Sequence, residues 1–423
     1  DCGVNWDVFL GSKRLKIAII GGGISGLVAA YHLNKFHEIT LFEAESWIGG
    51  HTHTVKYDGL NIDTGFIVFN DRTYPNFQKL LDFFDVDYRP TEMSFSVRND
   101  SCGLEYNGNT INSLFSDRKN LLNPRFYRLL LDVLLFNKLV KAGRYNELDT
   151  LETFIKKHNF SSWFIDGYLL PIGSAIWSMG TADMLSFPLK FFARFFINHG
   201  LLDIINRPQW YTVCGGSSQY IEPLINSFKD KICLNSAVES VVKTKSGVLV
   251  VVNSKEHRFD KVVFACHSDQ ALKLLSQPSQ LEDEVLSKIQ YSNNEVVLHT
   301  DISLLPKKKL AYASWNYLIL NNSNSQATLT YDMNILQGLS AYKEYCVTLN
   351  STSLINPNKI LARFNYQHPV YSVAMVAAQQ KVGLVSGVDN VHYCGAYWGN
   401  GFHEDGVVSA LRVCQELGVE VAY

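Results

Sequence analysis

The chain has 423 residues, of which 47% are hydrophobic, 18% charged and 11 proline, so disordered and fibrous classes are excluded, and at ~100–200 residues per domain it holds two to four domains. Lys and Arg number 38 against 40 Asp and Glu, a formal charge of -2, which gives no global field to attract nucleic acid or an acidic membrane. Aromatic residues reach 13% and point either to a large core or to a large apolar cavity.

Eight cysteines, at 2, 102, 214, 233, 266, 346, 394 and 414, form no CxxC pair. They fit reduced thiols in a reducing compartment, and metal ligation is disfavoured. Residues 1–12 show no basic stretch followed by an apolar one, and no apolar run is long enough to span a bilayer. A cytoplasmic protein is therefore expected. No function is assigned to residues 1–12.

The first element in chain order is Lys16-Ile-Ala-Ile-Ile20, a β-branched run suited to a parallel strand buried on both faces. A glycine cluster, Gly21 to Gly26, leads into a helical composition at Leu27–Leu33, and Glu38–Phe42 reads as the next strand. Together these form a βαβ unit. Between Tyr74 and Val140 the strongest helical periodicities are Pro75–Phe84 and Arg125–Phe136. The phenylalanine-rich Leu189–Ile197 also reads as a helix, placed in a core or pocket in preference to a membrane surface. Strands are expected at Val238–Val242, Val248–Val252, Lys261–Ala265, Glu295–Thr300 and Gln326–Tyr331, with a polar turn at Asn321–Asn324. A last strand, Asn390–Cys394, runs through a glycine-rich segment into a helix over Val407–Leu417.

Gly21, Gly23 and Gly26 satisfy GxGxxG, in which the glycines permit a tight turn, close approach of a pyrophosphate, and close helix–strand packing. Ile24 and Ser25 complete the turn, whose N–H groups hold phosphate at the helix start. Glu43 ends the next strand, where a carboxylate accepts ribose hydroxyls. This context predicts dinucleotide binding.

The segment Glu43-Ala-Glu-Ser-Trp-Ile-Gly-Gly-His-Thr52 adds a second glycine pair. It resembles the FAD-binding signature of the flavin amine oxidase superfamily, whose relatives include phytoene desaturases and protoporphyrinogen oxidases. Further stretches, at 49–54, 63–70, 207–211, 313–317 and 394–406, are similar to bacterial predicted NAD/FAD-binding oxidoreductases related to amine oxidases. The fold implied is α/β: a Rossmann-like FAD-binding domain, discontinuous over 14–75, 208–280 and 386–423, with an interleaved α+β substrate domain over 76–207 and 281–385.

The resemblance also implies site residues. Ala44, Gly49, Gly50, His51, Thr52, Thr64, Gly65, Phe66, Val238, Gly395, Asp405, Gly406 and Val407 join the glycine turn and Glu43 as FAD-binding candidates. Ala396 departs from the acidic residue many relatives carry there. Among His51, His53 and His403 the catalytic candidate is His403, and a structural role stays open for each of the three. Trp315, Tyr317, Trp398 and Phe402 are substrate-binding candidates, with core packing as the alternative. Cys266 and Cys394 read as buried small residues, and Ser217 and Ser218 lack a sequence-defined base.

The function implied is FAD-dependent oxidation of an apolar substrate, of fatty-acyl or lipid type, by hydride transfer to flavin. Lipid metabolism and a lipid-modifying enzyme partner follow from the same resemblance, while peripheral membrane contact stays open. An amine, a carotenoid-like polyene or another apolar metabolite stays open as substrate, and so do a flavin-dependent isomerase without net redox and a non-catalytic FAD-binding partner.

Overall fold

A computed structural model describes residues 14–177, 179–198, 200–203, 207–320 and 327–421. The first twelve residues, Cys2, the expected turn at Asn321–Asn324 and Gln326 lie outside the described residues. The chain divides into two compact units, one over 1–50, 221–288 and 378–423, the other over 51–220 and 289–377.

The first unit is built on a five-stranded parallel sheet in the order Ile232–Cys233, Glu38–Phe42, Lys16–Ile20, Lys261–Phe264, Val391–Tyr393. Ile17, Ala18, Ile19, Val262, Val263 and Val391 are fully buried, because a parallel sheet is covered on both faces and its strands read as continuous apolar runs. The helices Ile24–Leu33 and His403–Glu416 pack on each other. An antiparallel three-stranded sheet, Val238–Thr244, Gly247–Val252 and Lys255–Phe259, completes the unit. Its third strand was not expected: Lys255-Glu-His-Arg-Phe lacks apolar alternation and is mostly exposed, so the hairpin and not burial defines it.

The second unit carries a seven-stranded mixed sheet in the order Ile360–Val370, Gln290–His299, Cys346–Leu349, Ala327–Asp332, Trp315–Ile319, Phe95–Asn99, Leu104–Asn107. Smaller sheets pair Thr54–Tyr57 with Leu60–Asp63, and Val68–Asn70 with Trp210–Val213 and Tyr88–Thr91. These pairings place residues 51–75 and 208–220 in the second unit and not with the FAD-binding region, a correction to the spans expected from the sequence. The helices include Pro75–Phe83, Pro124–Lys141, Leu151–His158, Leu170–Trp177 and Leu189–Asn198.

The phenylalanine-rich helix Leu189–Asn198 is core. Phe192 and Phe196 are fully buried and stack at 4.0 Å between ring centroids, and the same aromatic cluster holds Trp177, Phe136, Phe187 and Tyr371. Much of the aromatic surplus is therefore helical packing, since each such ring buries a large apolar area at low entropic cost.

Candidate functional site

In the first unit the glycine turn shows two kinds of glycine. A Cβ on Gly26 would lie 1.9 Å from the Gly21 carbonyl oxygen, so this position is glycine because helix and strand meet there. A Cβ on Gly23 would meet nothing closer than the Gly50 Cα, at 3.8 Å. The space over Gly23 is thus left by the fold, next to the first N–H groups of the Ile24–Leu33 helix, and suits a pyrophosphate. The second glycine pair lies against this turn: the Gly49 N–H donates to the Gly22 carbonyl at 2.9 Å.

Glu43 is oriented by backbone. Its Oε2 accepts from the Gly22 N–H at 2.7 Å and its Oε1 from the Glu45 N–H at 2.9 Å. The half-buried carboxylate keeps lone pairs for ribose hydroxyls, and Ala44 is exposed beside it. The Glu43 carbonyl accepts from Ser236 N–H at 2.8 Å and the Glu45 carbonyl from Asn235 N–H at 3.0 Å. These bonds lay the approach to Val238 alongside the carboxylate.

The C-terminal segment closes on the same turn. Ser25 Oγ donates to the Gly406 carbonyl at 3.0 Å, and a Cβ on Gly406 would press on Ile24 at 2.7 Å. Gly395 N–H donates to Ser409 Oγ at 2.8 Å, and Val407 is fully buried. Asp405 Oδ2 accepts from the Phe402 N–H at 3.0 Å, which caps the final helix and gives this carboxylate a local role. Gln379 Nε2 donates to the Tyr397 and Gly399 carbonyls at 2.8 and 2.7 Å, a clasp on the glycine-rich segment that no sequence motif marks. His403 is buried, and burial lowers it to about 3, so it is neutral at ordinary pH. Trp398 and Phe402 are half-buried, Trp398 against the core of this unit.

The second unit holds the remaining cofactor candidates. Phe66 N–H donates to the His51 carbonyl at 2.7 Å and Thr64 N–H to the His53 carbonyl at 3.0 Å, so residues 51–53 and 64–66, with Gly65 between, run side by side. Tyr366 was not anticipated. Its hydroxyl lies 2.8 Å from both His53 Nδ1 and Thr64 Oγ1, while the His51 ring sits 5.6 Å from the Tyr366 ring and 5.4 Å from that of His368. Thr52 Oγ1 is 2.5 Å from the Tyr220 hydroxyl.

Beside this cluster Asp63 is fully buried and accepts from Thr54 Oγ1 at 2.6 Å, Ser217 Oγ and N–H at 2.9 Å, and Gln337 Nε2 at 3.1 Å. Burial outweighs these donors and raises it to about 6. Ser217 therefore has a carboxylate partner. It donates its proton in a buried structural bond.

Trp315 and Tyr317 stand on the strand Trp315–Ile319. Trp315 pairs with Tyr331 on one side and Phe95 on the other, and Tyr317 with Leu329 and Val97. Tyr317 is buried under Ala175, whereas Trp315, Tyr331 and Phe95 are half-buried.

Residues 24–310, more than half of the chain, match the family model for flavin containing amine oxidoreductase. The chain belongs to the flavin-containing amine oxidoreductase family. FAD is accordingly its cofactor, and the glycine turn and Glu43 fit that group. As a flavoprotein it is similar over 52 residues, at 42% identity, to 4,4'-diapophytoene desaturase (4,4'-diaponeurosporene-forming) of Staphylococcus aureus; that is 12% of this chain and 10% of the relative. The chain thus spans about a tenth of the length of the curated relatives it matches. In fold it is similar to a CLA-producing fatty acid isomerase from P. acnes, with a TM-score of 0.69 and 15% identity over 96% of this chain and all of that one. A cyclohexylamine oxidase from Brevibacterium oxydans gives 0.68 and 15% over the same 96% and all of its own chain.

Proposed function

We propose that this flavoprotein is an FAD-dependent oxidoreductase acting on an apolar substrate of fatty-acyl or lipid type. The observation that carries the FAD reading, on which the redox reading rests, is the space over Gly23, left open beside a helix start and a carboxylate already held by Gly22 and Glu45. When bound, FAD supplies two-electron acceptance from a substrate carbon. The chain does the holding. N–H groups at the start of the Ile24–Leu33 helix offer hydrogen bonds to pyrophosphate, Glu43 accepts ribose hydroxyls, and the His403–Glu416 helix offers a positive dipole end to negative charge. His403, kept neutral by burial, adds no positive charge of its own.

Support for an apolar substrate is the aromatic face of the seven-stranded sheet. Tyr331, Trp315 and Phe95 form one cross-strand row, with Leu329, Tyr317 and Val97 as the next, and no charged side chain interrupts either. The likeness to a fatty acid isomerase supports the fatty-acyl class, and it also favours a second reading, isomerisation without net redox at the same cofactor site.

Anaerobic mixing of the FAD-loaded protein with fatty-acyl lipids and with amines separates these readings. Bleaching of the oxidised flavin band by a lipid is the expected result. Bleaching by amines alone overturns the substrate class, isomerised lipid without bleaching selects the second reading, and no reaction with any of them leaves a non-catalytic FAD-binding partner.

A further inference from the structure

The helix Pro124–Lys141 has two apolar faces. Phe126, Leu129, Phe136 and Val140 are buried. At about 100° per residue, Tyr127, Leu131, Leu134 and Leu135 fall on the opposite side, where all four are exposed, Leu131 by 61%. The stripe continues beyond the N-terminal end of the helix at Leu121 and Leu122, the latter 91% exposed. The Tyr127 hydroxyl donates to the Leu121 carbonyl at 2.9 Å, which ties that turn to the stripe. Single exposed leucines are ordinary, but a contiguous stripe marks a contact surface.

Charge decides what the stripe meets. Residues 118–144 contain seven Lys and Arg, at 118, 119, 125, 128, 138, 141 and 144, against a single carboxylate, Asp132, in a chain whose total is -2. On the same helical wheel Arg128 borders the stripe on one side and Lys141 on the other. Arg128 pairs with Asp132 and Lys141 with Asp203; among the described residues the other five cations have no carboxylate partner in ion-pair contact. A second copy docked through this face would set these cations against one another, which opposes self-association. Long cationic side chains bordering an exposed leucine stripe match a bilayer that presents phosphate above acyl chains.

We infer that Leu121–Lys141 is an interfacial anchor that docks the protein on an anionic lipid bilayer, with the leucines at the headgroup–acyl boundary and the cations on lipid phosphates. The anchor lies on the membrane and does not span it, as no described helix is long and apolar enough to cross. The near-neutral total charge conceals this local asymmetry.

The test is flotation of the FAD-loaded full chain with vesicles of phosphatidylcholine alone or with 30 mol% phosphatidylglycerol (about a third of the lipid, enough for a strong surface potential). Binding to the anionic vesicles is expected to exceed that to neutral ones by at least about tenfold and to weaken in high salt. Leu131→Glu with Leu134→Glu, both on the exposed face, should reduce it by about tenfold or more while flavin absorbance is retained. Arg125→Glu with Lys138→Glu should abolish the preference for anionic lipid. Equal binding by the leucine variant, or no binding to either vesicle, overturns the anchor. So does a dimer in sedimentation that the leucine variant dissociates, since the face would then belong to a second copy.

Discussion

The two units solve the problem of placing polar groups in opposite ways. In the first, the candidate cofactor site is made of backbone: glycines, the N–H groups of a helix start, and a carboxylate held by the N–H groups of Gly22 and Glu45. In the second, polar side chains hold one another, as where Asp63 gathers Thr54, Ser217 and Gln337, and Tyr366 bridges His53 and Thr64. A backbone site fails when an atom is added. A side-chain network fails when an atom is removed.

The largest effects should come from adding atoms to the first unit. Gly26→Ala places a Cβ where only 1.9 Å separates it from the Gly21 carbonyl oxygen, and a loss of roughly 4 kcal/mol or more in stability is expected. Gly23→Val fills open space, so the apoprotein should melt near the parent temperature while FAD affinity falls about 100-fold, or 2.7 kcal/mol. Thermal melts of the apoproteins, alongside flavin titrations, distinguish the two. Undiminished FAD affinity in the Gly23 variant would falsify the assignment of the turn.

Acid should break the first unit before the second. Burial lowers His32 to about 4 and His403 to about 3, from an ordinary 6.5, so each is neutral when folded while the unfolded chain takes up a proton. Their contribution is present above pH 6.5 and is lost as pH falls toward 3, up to roughly 4 kcal/mol for His403. In the second unit His299 carries the same sign, lowered to about 4 by burial. There, however, burial raises Asp63 to about 6 and Asp332 to about 7. Those acids hold their protons to higher pH when folded than when unfolded, so their contribution is full below 3.8 and is lost as pH rises through 6 to 7. Hydrogen exchange between pH 7 and 4 should show the first unit losing protection while the second is partly compensated, and His403→Gln should flatten the first unit's response. Equal loss in both units would contradict this balance.

The same contrast explains what could be read in the sequence. Gly21 to Gly26, Glu43 and the Gly49–Gly50 pair lie within thirty residues, and each is dictated by a local steric or hydrogen-bonding need, so the βαβ unit and its candidate site were legible. Tyr366, Gln337 and Tyr220 were not. Tyr366 reaches Thr64 across 302 positions and Gln337 reaches Asp63 across 274, and nothing in the local pattern of either segment signals a partner so distant. The phenylalanines of 191–196 were legible as a helix of core or pocket, and the structure makes them core; sequence does not separate the two, because a ring lining a cavity and a ring filling one have the same composition. Sequence likewise placed residues 51–75 with the cofactor region by their nearness to the glycine pair, whereas strand pairing with 208–220 fixes them in the second unit.

Glu43 tests the first unit by subtraction. Glu43→Ala removes the acceptor for Gly22 and Glu45 and should cost about 1.5–3 kcal/mol in FAD binding, while Glu43→Gln, which keeps one acceptor oxygen, should cost about half as much. Isothermal titration of the apoproteins reads both, and equal losses would mean that the negative charge and not the fixed orientation matters.

The smallest expected effect probes the second unit. Tyr366→Phe deletes one hydroxyl that lies 2.8 Å from both His53 Nδ1 and Thr64 Oγ1 and leaves the ring beside His51. Two neighbours lose a partner at once. A cost of about 1–2 kcal/mol in the melting of the FAD-loaded protein follows from a single net hydrogen bond and the partly buried groups left behind. Thr64→Val removes the bond from the other side, and the double variant should cost less than the sum of the two because both delete the same contact. Strict additivity would show that Tyr366 and Thr64 act independently, and the network reading of the second unit would fall with it.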